Sequence, residues 1–262
     1  MRSLFDLNGR VVLATGANRG IGLGFLIGCA RQCADVVVWD RDQSRQASAL
    51  LKLKEAGARR THSETVDVSD EAAVEAAFAS TLAAMRRVDC VFVNAGITSR
   101  ASSFPEMTSE MYHELLAVNL HGAFYTLRAT ARHMRDRALA GEPGGSIVIC
   151  GSLSIVHGLE GMEHYAGAKG ALSAMVKSLA VELGKYGVRA NMIAPGFILT
   201  GMTDDDPRTA EAIKKMSAIT PLGRPGTPED IEGPAAYLAS DASKFHTEDI
   251  LVIDGGRSAG QA

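Results

Sequence analysis

Val11-Val12-Leu13-Ala14-Thr15 runs directly into Gly16-Ala17-Asn18-Arg19-Gly20-Ile21-Gly22. A short apolar, β-branched run, a glycine-rich turn and then a helical pattern read as strand, tight turn and helix. Glycines at such a turn let the main chain approach a pyrophosphate. The first helical turn adds unpaired N–H groups and the positive end of the helix dipole. Three residues separate Gly16 from Gly20, so the commoner Gly-x-Gly-x-x-Gly form is absent. A glycine turn by itself also serves merely to join a strand to a helix, so its neighbours must decide.

Outward from that turn, short β-branched runs alternate with longer helical stretches. The strand candidates are 11–15, 35–39, 61–66, 89–93, 146–150, 188–193 and 250–253. Most are continuous apolar runs, as parallel strands covered on both faces require. Helical periodicity falls at 21–31, 41–56, 71–85, 109–138, 162–186 and 228–239. This alternation predicts one α/β domain over residues 1–262, a Rossmann-type, doubly wound, mainly parallel seven-stranded sheet with helices on both faces. The stretch from Pro195 to Thr227 carries an aspartate run and several prolines and glycines, and it reads as irregular, with a substrate lid over 196–226.

The second strand strengthens the nucleotide reading. It is followed by Asp40, eighteen residues past Gly22, where a carboxylate can accept hydrogen bonds from the adenosine ribose. Asp67 and then Asn94-Ala95-Gly96 follow the third and fourth strands, at the carboxyl ends where open α/β sheets bind ligands. A carboxylate at position 40 repels a 2′-phosphate and favours NAD, whereas Arg19 and Arg41 would pair with that phosphate and favour NADP. Asp40 weighs more, because its charge would lie directly against the phosphate, and NAD is the expected cofactor.

Composition excludes other classes. The chain has 262 residues, 46% apolar and 22% charged, with a formal charge of −3, which gives no electrostatic case for nucleic acid or an anionic membrane. The opening residues lack a signal-peptide core and no apolar run reaches bilayer length, so a cytoplasmic protein is expected. Cys29, Cys33, Cys90 and Cys150 lack metal-ligand spacing and read as buried small hydrophobes. The seven histidines form no ligand cluster, and no metal is expected.

Tyr165 and Lys169 lie four apart on a predicted helix and therefore share a face. A phenol with a pKa near ~10 is a poor base at neutral pH, and a cation one turn away favours the phenolate. Ser152, thirteen residues earlier at a strand's carboxyl end, can hold a substrate oxygen in the same pocket.

In order and at matching spacing, Thr15-Gly16-x-x-x-Gly20-x-Gly22, Asn94-Ala95-Gly96, Asn119, Ser152, Tyr165-x-x-x-Lys169, Pro195-Gly196 and Asp254-Gly255-Gly256 resemble the classical short-chain dehydrogenase/reductase (SDR) family over about residues 7–256. The resemblance implies hydride transfer between NAD(P) and an alcohol or ketone. Tyr165 would be the general acid/base, Lys169 would hold the nicotinamide ribose, Ser152 would polarise the substrate oxygen and Asn119 would hold a water. It also implies cofactor contacts from Gly16, Asn18, Arg19, Gly20, Ile21, Gly22, Asp67, Val68, Asn94, Ala95, Gly96, Pro195, Gly196, Ile198 and Thr200. Two departures stand out. Thr247-Glu248 replaces a common Thr-Gly, and Asn119 is followed by Leu120-His121-Gly122 where the family more often has Val-x-Gly. A homotetramer or homodimer is implied, packed through 109–138 and 162–186.

Candidate substrate contacts are Ser154, His157, His164 and Met202, with the two histidines reading equally as hydroxyl-binding or as plain surface residues. Sugars, polyols and other small secondary alcohols fit better than acyl-carrier thioesters. The alternatives are an NADPH-dependent 3-oxoacyl reductase and a non-catalytic dinucleotide-binding regulator. The second has no need of Asn119, Ser152, Tyr165 and Lys169 together.

Overall fold

A computed structural model describes residues 3–200 and 207–259. Among these, seven strands form one parallel sheet: β1 (Val11–Thr15), β2 (Asp35–Asp40), β3 (Thr61–Thr65), β4 (Cys90–Val93), β5 (Gly145–Cys150), β6 (Val188–Pro195) and β7 (Ile250–Ile253). The spatial order is β3-β2-β1-β4-β5-β6-β7. Connections therefore run one way from β1 and the other way from β4, which opens a crevice above their carboxyl ends.

Alternation along each strand divides the core in two. Val11 and Leu13 join Val37, Val91 and Ile147 beneath α3 (Glu71–Met85), α5 (Ala123–Leu139) and α6 (Glu163–Leu183). Val12 and Ala14 join Val36, Phe92 and Val148 beneath α1 (Gly20–Ala30), α2 (Gln46–Glu55) and α8 (Glu229–Ala239). Each such side chain contributes roughly 1.5–3 kcal/mol on full burial. Phe25 stacks on Phe92 with ring centroids 4.6 Å apart. The buried Trp39 indole N–H finds the Thr81 hydroxyl at 3.0 Å.

Three features differ from the sequence expectation. The helix expected over 109–138 is interrupted: α4 (Ser109–Leu116) passes through a π-helical segment, Ala117–Gly122, into α5. Second, the stretch read as irregular contains α7 (Pro207–Ile219), which starts on a proline, where the missing N–H costs nothing. Third, Cys33 is exposed just past α1 with φ +67°, whereas Cys29, Cys90 and Cys150 are buried as expected. Among the described residues no helix is long and apolar enough to cross a membrane.

Candidate active site

The crevice is a cleft of about 550 Å³ lined from the carboxyl ends of the strands. That volume lies within the range of small-molecule and cofactor sites. Its floor is stitched together by Thr15 and Asn94. The Thr15 hydroxyl accepts the backbone N–H groups of Asn94 (3.0 Å) and Ala95 (2.9 Å). In return the Asn94 amide donates to the carbonyls of Thr15 (2.9 Å) and Gly16 (3.0 Å). A β-carbon on Gly22 would stand 2.4 Å from the Gly16 carbonyl, so the turn closes only with glycine there. Arg19, the residue capping α1, makes no side-chain cap, and the first N–H groups of that helix have no such partner. Gly16, Arg19, Gly20 and Ile21 face the cleft, and a dinucleotide phosphate fits this end.

At the end of the cleft beside β2 and β3, Asp40 has each oxygen held by one main-chain donor, Asn18 N–H at 3.0 Å and Asp42 N–H at 2.9 Å. Each oxygen keeps further acceptor capacity, and the side chain faces the cleft beside Arg19 and Arg41. Asp67 lies across from them with Val66 and Val68. The hydroxyl and N–H of Ser69 bond one Asp67 oxygen, and with nearby Arg41 they hold this carboxyl below its usual range.

At the other end Ser152, Tyr165 and Lys169 face the same space. Lys169 is 5% exposed, and its ammonium donates to the Cys150 carbonyl at 2.6 Å. It lies 5.8 Å from the centre of the Tyr165 ring. The Ser152 oxygen accepts the Ser154 N–H at 3.1 Å, which leaves its own proton available for a substrate oxygen. Asn119 sits in the π-helical segment. Its amide closes a ring on one residue of the facing loop, accepting Ile97 N–H at 2.8 Å and donating to the Ile97 carbonyl at 2.9 Å. A π-bulge at a functional position is a recurrent device.

Other residues singled out from the sequence fall as follows. Val68, Ala95, Gly96, Pro195, Gly196 and Thr200 line the cleft. Asn18 and Gly22 buttress it from behind, and Ile198 lines an adjoining cavity of about 150 Å³. Ser154 and His164 are buried and His157 is half-buried, and none of the three lines the cleft. Met202 lies outside the described residues. Sequence reasoning missed Ile97, Thr98 and Val118, which do line it. Their only signal was adjacency to Asn94-Ala95-Gly96 and to Asn119.

The family model described as enoyl-(acyl carrier protein) reductase matches residues 16–258. L-rhamnose 1-dehydrogenase (NAD(P)(+)) of Sphingomonas sp. strain SKA58 is 36% identical over 250 residues, covering 95% of this chain and 96% of that protein. The 3-oxoacyl-[acyl-carrier-protein] reductase of Chlamydia pneumoniae is 35% identical, covering 95% and 97%. Among solved structures, a short-chain type dehydrogenase/reductase from Mycobacterium marinum superposes with a TM-score of 0.89 at 31% identity, covering 98% of both chains. A candidate 2-deoxy-d-gluconate 3-dehydrogenase from Agrobacterium tumefaciens with bound NADP superposes with a TM-score of 0.87 at 31% identity, covering 98% of this chain and 100% of that one.

Proposed function

Since the chain belongs to the short-chain dehydrogenase/reductase family and is an NAD(P)-dependent oxidoreductase acting on CH–OH groups, we propose that it is a sugar, polyol or small-alcohol dehydrogenase that prefers NAD. One observation carries this reading: Ser152, Tyr165 and Lys169 converge at one end of a cleft whose other end presents Asp40. When bound, the nicotinamide ring takes or supplies the hydride. The chain's own residues do the rest. Ser152 donates to the substrate oxygen. Tyr165 takes the alcohol proton on oxidation and returns it on reduction, with the Lys169 ammonium 5.8 Å from its ring centre. Lys169 also holds the nicotinamide ribose, and Asn119, locked to Ile97, fixes the loop beside it. Holding alcohol and acceptor in one orientation supplies much of the rate.

The substrate class rests on the relatives that act on rhamnose and deoxygluconate and on the Ser152 hydroxyl that faces the cleft. The NAD preference rests on Asp40. Arg19 and Arg41 in the same cleft favour a second reading, an NADPH-dependent 3-oxoacyl reductase like the Chlamydia relative. We assign one domain to the chain, with a lid over 196–226. The two ends of that segment are pinned together, Leu199 N–H to the Gly226 carbonyl and Gly226 N–H to the Phe197 carbonyl, each at 2.9 Å. A cytoplasmic homo-oligomer fits the exposed apolar side chains Tyr112, Phe124 and Val181 on α4, α5 and α6. The test is a panel of sugars, polyols and 3-oxoacyl thioesters assayed with NAD(H) and NADP(H). Oxidation of a sugar with NAD is expected. Turnover of the thioesters alone, with strict NADPH dependence, overturns the reading.

A further inference from the structure

The wall between Ser152 and Tyr165 is fastened to the loop that follows β4 by three bonds in consecutive order. Ser99 Oγ meets His164 Nε2 at 2.8 Å, Arg100 Nε donates to the Glu160 carbonyl at 2.9 Å, and Ala101 N–H donates to the Gly161 carbonyl at 3.0 Å. The approach is close: a β-carbon on Gly161, whose φ is +71°, would stand 2.2 Å from the Ala101 carbonyl. Just upstream, the same loop is held at Ile97 by Asn119. Residues 97–101 thus bridge Asn119 to the residue preceding Tyr165.

His164 is the unexpected member of this clasp. It is 1% exposed, and its Nδ1 has no hydrogen-bond partner among the described residues. A side chain needed only to fill that space would do better as an apolar residue, because a buried polar atom without a partner is costly. The two other bonds already hold the loop through the Glu160 and Gly161 carbonyls. They reach the first turn of α6 only indirectly, through Glu163 Oε1 accepting the Gly161 N–H at 3.2 Å. Met162, the residue capping this helix, makes no side-chain cap.

We propose that His164 is a positioning residue for Tyr165, tying the first turn of α6 directly to Ser99 on the cleft loop. The proposal rests on Tyr165 as the proton-transfer residue. Through it the loop that faces the substrate and the turn that carries the phenol move as one body. His164 acts through its neighbour and does not touch the substrate, since its ring lies behind the cleft wall.

The experiment uses the full-length protein, with NAD and whichever panel sugar is oxidised fastest. H164F and S99A are each expected to lower kcat about tenfold, because small misplacements of reacting groups are expensive, while KM for NAD stays within about twofold. The S99A/H164F double variant should fall no further than either single one, the mark of a shared contact. H164Q, which keeps a nitrogen or oxygen near Nε2, should recover most of the loss. Backbone hydrogen exchange at 163–167 should rise in H164F and S99A and return in H164Q. Wild-type kcat in H164F, losses that multiply in the double variant, or unchanged exchange at 163–167 would each overturn the proposal. The underlying reading fails separately, through Y165F that keeps full turnover, and the exchange measurement still judges the clasp in that case.

Discussion

Asp89 and Asp40 stand at opposite edges of the same sheet, one just before β4 and the other at the end of β2, and both accept main-chain N–H groups. Their surroundings differ. Asp89, 5% exposed, accepts Val11 N–H at 2.9 Å, receives Arg87 on both oxygens, and has Arg137 at 3.3 Å and Arg10 at 3.8 Å. Its pairing with Arg87 pushes that guanidinium's pKa up. Asp40 has its two main-chain donors and no cation bonded to it among the described residues, although Arg19 and Arg41 line the same cleft. At the amino edge the charges are consumed within the fold. At the carboxyl edge they are set out with capacity unspent, which suits a ligand bringing its own charges and hydroxyls. The contrast separates polar residues committed to holding the protein together from those with capacity left for a ligand.

The largest effect that can break this contrast belongs to Tyr165. Y165F should cost on the order of 10²–10⁴ in kcat, the span for one general acid/base, with an unchanged Tm and retained NADH fluorescence on binding. A variant that melts early would place Tyr165 among the structural residues instead. At the other edge the outcomes should exchange places. D89A removes the main carboxylate partner of the half-buried Arg87 and of the less exposed Arg137, and it should lower unfolding stability by about 3 kcal/mol in urea titrations. Well below its Tm, the variant should keep kcat and KM near wild type. Loss of turnover at an unchanged Tm would mean that the amino edge also serves the chemistry.

The same contrast explains what could be read from the sequence. β1, β2, β4, β5 and β6 were legible because strands buried on both faces are written as apolar runs. The polar edge strand β3, Thr-His-Ser-Glu-Thr, was legible only from the strand–helix alternation, and β1 and β7 carry their expected bounds. That the glycine turn, Asp40 and the Tyr165/Lys169 pair face one cleft was legible because local spacing at strand ends and on one helix face encodes it. The break in the helix expected over 109–138 was not. It arises where Asn119 bonds Ile97, twenty-two residues away, and no local pattern records that bond. α7 was hidden by punctuation, since the prolines and aspartates that suggested a loop include the proline that starts the helix. The Ser99–His164 bond spans sixty-five residues and left no mark at all.

Asp40 offers a smaller and sharper test. If its charge opposes a 2′-phosphate, D40N should raise NADP use relative to NAD by about tenfold in kcat/KM, or about 1.4 kcal/mol of discrimination. The gain should depend on Arg19 and Arg41, and adding R41A should take back part of it. An unchanged cofactor ratio in D40N would show that the adenosine end is set by other groups. Tm should move little, because Asp40 is half-buried and asparagine keeps an oxygen that can accept a main-chain N–H there.

The smallest effect lies at the amino edge, ahead of β7. Glu248 stands where relatives in the family commonly carry glycine, and its φ is +73°. The turn is kept nonetheless, with Glu248 N–H donating to the Ala190 carbonyl at 2.7 Å. A left-handed conformation costs a residue with a β-carbon roughly 1–2 kcal/mol, and glycine forfeits roughly 0.5–1 kcal/mol of that advantage through chain entropy. E248G should therefore stabilise the fold by about 0.5 kcal/mol, raising Tm slightly with kinetic constants unchanged. Stabilisation at this edge, with no functional cost, is what separate duties for the two edges require. A fall in Tm, above all one that depends on protein concentration, would instead give the exposed Glu248 side chain a contact between copies of the chain and make the strained turn part of an assembly surface.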